Sequence, residues 1–267
     1  MRLRQVALMA RSIAPVAEAL DAVFGLEVAY RDPAVGVFGL ANVVMPVGGE
    51  FLEVLEPLRA DASGARYLAR RGGDAGYMII LQDEDALAHR ARLEAAGVRA
   101  IAKGDGAGYR YTHFHPADCA GVLLSIDSVA GDGGWRAAMS DWPPAGPDWR
   151  AHPSGASRGI FAVTVQARDP EAAAARWSSL LDRPARGDVV TLERGEIRFV
   201  PPVDADGTGV VGLDIVVADP REIIARAERF GVPALDGTVT IGGVAIRPIS
   251  PLPTGEAGAR ARLGVGR

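Results

Sequence analysis

The chain has one cysteine, one lysine and few aromatic residues, and each shortage narrows the options. A single cysteine, Cys119, rules out an internal disulfide and a Cys-rich zinc site. In this context it reads as a small buried hydrophobe. Lys103 is the sole lysine, and the arginines are scattered. With a net charge of −4, the chain shows no basic patch that would engage nucleic acid. No apolar run approaches the roughly 20 residues of a membrane-spanning helix. The opening MRLRQVALMARS has too short an apolar stretch for a secretory leader. The expectation is a soluble, cytoplasmic protein without a nucleic-acid or membrane partner. Hydrophobic residues make up 48% of the 267, with 23% charged, enough to build one large core or two ordinary ones.

Four segments repeat one pattern: a short strand, a helix of 10–12 residues, a glycine or aspartate stop, then further strands. The strands are RQVALMA (4–10), GYMIILQ (76–82), GIFAVTVQA (159–167) and VGLDIVVA (211–218). The helices that follow are APVAEALDAVF, DALAHRARLEAA, PEAAAARWSSLL and PREIIARAERF. Pro170 and Pro220 suit a first helical turn, and Gly25, Gly97 and Gly231 suit a helix end. From Gln5, Tyr77, Ala162 and Gly212, the stops at Gly25, Gly97, Asp182 and Gly231 lie 20, 20, 20 and 19 residues on. Glu53 and Ser125 both lie 48 residues from their anchors, whereas Arg198 and Arg247 lie 36 and 35 from theirs. The units therefore form two pairs, 1–127 and a shorter 158–253. Residues 128–157, rich in Gly, Pro and Ser, read as a linker, with Trp135, Trp142 and Trp149 expected to pin it across both pairs. The tail 254–267 is expected to be mobile.

Alternation along the strands assigns faces. In FLEVLEP, Leu52 and Val54 suit a helix-packing face, leaving Phe51, Glu53 and Leu55 opposite. A carboxylate between two large apolar neighbours is costly unless it serves a pocket or reaches water. In YRYTHFHP, Tyr111, His113 and His115 share one side, and Thr112 and Phe114 the other. His115, before Pro116, reads as a backbone cap, which makes His113 the better chemical candidate. In the second pair Arg198 and Arg247 could clamp an anion, or pair with Asp214.

Taken together, the repeat and the segment HPADCAGVLLSID resemble the vicinal oxygen chelate superfamily, closest to its epimerase- and glyoxalase-like members. The likeness covers about 4–127 and 159–250. It implies an α+β fold of four βαβββ modules, arranged as two paired glyoxalase-like domains whose curved mixed sheets form cups. It also implies a divalent metal held by His and Glu from the first and last strands of each module, acting as a Lewis acid beside a carboxylate base. Carried over, those four positions are Gln5, Glu53, Tyr77 and Ser125 in the first pair and Ala162, Arg198, Gly212 and Arg247 in the second. Only Glu53 keeps its type. Gln5, Glu53 and His113 are a weak donor set for Zn or Fe, so a metal is not favoured.

Two functions remain open on the sequence. One is a lyase or isomerase of the glyoxalase or epimerase type on a small carbonyl or acyl compound, with Glu53 as base and His113 or Tyr77 handling the oxygen. The other is a non-catalytic protein that sequesters a small molecule in a pocket including Gln5, Phe51, Tyr111 and Ser125, with Arg198 and Arg247 in the second cup. Extradiol ring cleavage is disfavoured, because the chain carries no histidine after His152. Monomer and homodimer are both compatible with four modules in one chain.

Overall fold

A computed structural model describes residues 1–131, 134–152 and 154–251. The expectation of a mobile tail at 254–267 lies outside these residues. The first half runs β1 (Arg2–Met9), α1 (Ile13–Phe24), β2 (Leu40–Val47), β3 (Glu50–Pro57), α2 (Ser63–Arg71), β4 (Ala75–Gln82), α3 (Ala86–Ala95), β5 (Ala100–Asp105), β6 (Tyr109–Phe114) and β7 (Leu123–Val129). The second runs β8 (Ser157–Gln166), α4 (Pro170–Leu181), β9 (Ala185–Arg186), β10 (Val189–Thr191), β11 (Glu196–Val200), β12 (Gly209–Val217), α5 (Pro220–Phe230), β13 (Ala234–Leu235), β14 (Thr238–Ile241) and β15 (Val244–Ile249).

Helix ends follow the local chemistry. Asp169 and Asp219 accept hydrogen bonds from the first-turn N–H groups of α4 and α5, with Pro170 and Pro220 just inside. Gly25, Asp182 and Gly231 take the left-handed conformation that closes α1, α4 and α5. The sequence pattern did not anticipate α2 or the 3-10 turn Pro33–Phe38.

Each half builds one curved mixed sheet. The strand orders are β2-β3-β1-β4-β7-β6-β5 and β13-β14-β15-β12-β8-β11-β10-β9. In both sheets the two modules meet through an antiparallel pair of first strands, β1 with β4 and β8 with β12. The place taken by β13 at the edge of the second sheet is held in the first by a lone bridge, Tyr30 to Val44.

The helix-bearing faces of both sheets share one core. Leu52, Val54, Ile79 and Leu81 of the first sheet belong to the same buried cluster as Trp177, Leu213 and Ile246 of the second half. α1 packs on α5, and Arg92 of α3 reaches the carbonyl oxygens of Ser179 and Leu180 at the end of α4. A second, smaller cluster lines the opposite, concave face of the first sheet: Ala7, Val44, Phe51, Leu55, Met78 and Ile80, roofed by Leu68 of α2 and by Trp142 and Trp149.

The linker is therefore a lid on the first sheet. Trp142 and Trp149 pin it on the first sheet, while its Arg136 pairs with Glu193 of the second half at 2.8 Å. Phe51 meets Trp149 edge to face at 4.9 Å, and Tyr109 meets Trp142 likewise at 5.7 Å. The Arg4 guanidinium lies 5.1 Å from the Phe51 ring centre and 5.2 Å from that of Trp142, while donating to the Gly49 and Ser140 carbonyls. Gly49 makes this contact sterically feasible, because a Cβ there would lie 1.9 Å from the Ala138 carbonyl oxygen.

Candidate functional site

The concave face of the first sheet retains a trace of solvent contact that the helix side lacks. Met78, Ile80, Leu123 and Glu53 are 4%, 6%, 8% and 6% exposed, whereas Leu52, Val54, Ile79 and Leu81 are 0%. Half-buried Tyr77, Tyr111 and His113 border this cup. The alternation that placed Phe51, Glu53 and Leu55 opposite Leu52 and Val54, and Phe114 away from Tyr111 and His113, describes the observed faces.

Glu53 is the pivotal group. Its Oε2 accepts from Gln5 Nε2 at 2.8 Å, and its Oε1 accepts from Asn42 Nδ2 at 2.6 Å. Both amides are locked in that sense from behind. The indole N–H of Trp142, which can only donate, reaches Gln5 Oε1 at 2.7 Å. The backbone N–H of Asp32 reaches Asn42 Oδ1 at 2.8 Å. Each amide must therefore turn its NH2 toward Glu53, which suits a carboxylate and conflicts with a protonated acid. Burial raises the Glu53 pKa, and the two amide donors pull against that rise. Among the described residues, no cationic side chain pairs with it.

On the opposite wall Ser125 is buried, and its single hydroxyl proton goes to the nearer Asp127 Oδ1, with the Thr112 carbonyl oxygen at 3.3 Å as the alternative acceptor. Tyr109 donates its hydroxyl to Asp127 Oδ2. Burial raises the Asp127 carboxyl to about 7 against the pull of these two hydroxyls. Hydroxyls can reverse and accept, so Asp127 can carry a proton without losing its partners. Burial and the neighbouring Asp127 carboxylate hold the Tyr109 phenol well above its ordinary range.

His113 lies between Phe38 and Tyr111, with ring centres at 5.9 and 4.7 Å, and burial pushes it down to about 4, so it is neutral at physiological pH. Tyr77 falls where the β1–β4 pairing skips a residue, between Ala7 opposite Met78 and Leu8 opposite Gly76. Ile80, rather than Tyr77, stands opposite Gln5. The bulge turns Tyr77 to α2, 5.0 Å from the Tyr67 ring and bonded to Ser63, where burial raises its pKa and the Glu53 charge adds to the rise. His115 caps the short turn after β6, its Nδ1 accepting from Ala117 N at 3.1 Å.

The second sheet is arranged differently. Arg247 Nε and Arg198 both bond Asp214, the former at 2.9 Å, and Arg198 also pairs with Glu196 at 2.6 Å. The two arginines are satisfied within the fold, the second of the two roles open to them on the sequence. Trp142 and Trp149 lie over the first sheet rather than this face, and Arg247 is exposed.

The metal implied by the resemblance does not fit these side chains. Gln5 spends its only oxygen on an indole, and Glu53 has an amide on each oxygen. His113 faces Ser125 and Ala102 rather than Glu53 across the sheet. Among the described residues, no three His, Cys, Asp or Glu side chains gather around one point.

Asp127, Tyr109 and Asn42 line the candidate site and were not singled out in the sequence, and Trp142 was read there only as a linker pin. Two of them were within reach of it. Asp127 is two residues past Ser125 and Tyr109 two before Tyr111, so alternation puts both on the cup face.

Comparisons with known proteins place the chain among its relatives. Structural similarity extends to a Streptomyces coelicolor methylmalonyl-CoA epimerase solved with 2-nitronate-propionyl-CoA, at 26% identity over 49% of this chain and 96% of that one, with a TM-score of 0.45. The epimerase from Mycobacterium tuberculosis aligns at 22% identity over 48% and 88%, with a TM-score of 0.44. A hypothetical protein, BH1468 of Bacillus halodurans C-125, aligns at 20% identity over 49% and 96%, with a TM-score of 0.43. No curated protein matches the chain. No helix among the described residues is long and apolar enough to cross a membrane. The model of the glyoxalase-like domain matches residues 6–181, through both modules of the first sheet, the linker and α4. The chain belongs to the glyoxalase-like domain family, within the vicinal oxygen chelate superfamily.

Proposed function

We propose that the first cup takes a small carbonyl or acyl compound and that Glu53 removes a proton from the carbon beside its carbonyl, in a lyase or isomerase reaction of the glyoxalase or epimerase type. One observation carries this reading: a carboxylate in an apolar cup whose two fixed amide donors keep it an acceptor. Burial without a cationic partner raises its proton affinity, as a general base working near neutral pH requires. Neutral His113 and the Tyr77 phenol are the candidates for orienting the substrate oxygen by hydrogen bonding.

The test is Glu53→Gln, assayed for proton exchange at the α-carbon of small acyl and carbonyl compounds by NMR in D2O. Loss of exchange by a factor of about 100 or more, with near-UV circular dichroism retained, supports the assignment. Exchange at the wild-type rate in the variant sinks it. A second reading, a non-catalytic protein that sequesters its ligand, draws on the lid: Trp142 docks on Gln5 and covers the cup. Saturable ligand binding with no exchange in the wild-type protein would favour that alternative.

A further inference from the structure

We infer that the Asp127 end of the first cup is a subsite for an alkylammonium group, so that the compound it takes carries a positively charged nitrogen. The inference rests on the first cup being the substrate pocket, and it specifies what that pocket accepts. Three observations converge on it. Asp127 is buried, and its oxygens meet only the hydroxyls of Ser125 and Tyr109; among the described residues no cation pairs with it. A carboxylate can accept about four hydrogen bonds, so capacity remains on both oxygens. Tyr109 and Tyr111 stand beside it on β6, 5.9 Å apart and tilted by 33°, offering aromatic faces of the kind that attract alkylammonium ions.

The third observation is Gln82. It is 0% exposed and lies directly beside Asp127 in the β4–β7 register, on the face shared by Met78 and Ile80. Among the described residues, neither its amide oxygen nor its amide nitrogen has a hydrogen-bond partner. An amide buried with both ends unsatisfied is destabilising unless something arrives to meet it. A ligand's cationic end would lie against the Asp127 carboxylate, while a hydroxyl or N–H carried beside it would find the Gln82 amide.

The charges facing Asp127 leave the position free for a cation. His113 on β6 is neutral, Tyr109 and Tyr111 are phenols, and Arg2, the next strand along from Gln82, is committed to Glu50 at 2.7 Å and to linker carbonyls. Glu53 across the cup adds attraction rather than repulsion. A metal ion would need several lone pairs directed at one point, which this wall does not gather. A diffuse organic cation needs only a carboxylate and ring faces.

The experiment uses choline and its uncharged isostere 3,3-dimethylbutan-1-ol as probes, by calorimetry on the full-length protein at pH 6 and pH 8. Choline should bind saturably and roughly ten- to thirtyfold more tightly than the alcohol, and more tightly at pH 8 than at pH 6 as Asp127 loses its proton. Asp127→Asn should erase the preference, and its hydroxyl neighbours can re-pair with the amide so that the fold survives. Equal affinity for the two probes, no saturable choline binding, or a preference lost in Glu53→Gln but kept in Asp127→Asn would each overturn the subsite. Failure here is separable from failure of the base assignment, which is read from isotope exchange in Glu53→Gln with no choline present.

Discussion

The two cups occupy matching places in a repeated fold and treat a carboxylate in opposite ways. In the second, Asp214 is held between Arg198 and Arg247, and the face stays open to solvent. In the first, Glu53 and Asp127 are buried with neutral partners among the described residues, beneath a lid that includes Trp142 and Trp149. The fold dictates neither arrangement. A carboxylate tied to two guanidiniums has little capacity left to move protons. One met by amide donors alone keeps its capacity to take up a proton, and the cost of its burial is what the lid and the surrounding core must offset. Chemistry is therefore expected in one cup, with the other serving structure.

The lid is the sharpest difference between the halves, and removing it gives the largest expected effect. Trp142→Ala takes away an indole packed on Phe51 and Tyr109 and should cost about 3–5 kcal/mol in urea unfolding. Arg247→Ala, on the exposed face of the second cup, should cost no more than about 1 kcal/mol. Comparable losses in the two variants would erase the contrast.

The next effect lies in pH dependence. Asp127 has a raised pKa, about 7 in the fold against 3.8 in the unfolded chain. Between those values the folded state binds more protons, so stability declines as pH rises from about 4 to 7. The decline attributable to this group is on the order of 2–4 kcal/mol, and Asp127→Asn should flatten it in urea titrations across that range. Asp83 works in the other direction: its carboxyl lies at about 2 beside His89 and the N-terminal amine, so its contribution is lost only as pH falls below about 4. The second cup offers a smaller effect. Asp214→Asn weakens two arginine contacts, one half exposed, and should cost about 1–2 kcal/mol with little change in ligand binding at the first.

Much of this layout is readable from local pattern. The 20-residue spacing from strand to helix stop marks the four modules, and alternation around Glu53, Tyr111 and His113 gives the face each occupies. What escaped depends on contacts distant in sequence. Nothing near Trp142 indicates that its indole would land on Gln5, 137 residues away. The bulge that turns Tyr77 toward α2 arises from pairing with β1, and equal spacing to Gly97 conceals it. Asp127 escaped for another reason: the resemblance draws attention to Ser125, where an acid is expected, and an acid two residues later on the same face does the work of a different site.

The smallest expected effect is the most informative about Glu53. Trp142→Phe keeps most of the ring packing and removes only the N–H that fixes the Gln5 amide. Gln5 can then rotate and present its oxygen to Glu53, replacing a donor by a repulsive acceptor and favouring the protonated acid. Stability should fall by about 1 kcal/mol. The acid limb of the pH–rate profile should move to higher pH by up to roughly one unit, since a base with a raised pKa becomes active later as pH increases. Asn42 would still hold the second oxygen in place, so the maximal rate should change little. A lid that merely covers the cup would leave that limb where it was. A shifted limb at constant maximal rate would show that the linker sets the proton affinity of the carboxylate it covers, something the uncovered second cup has no means to do.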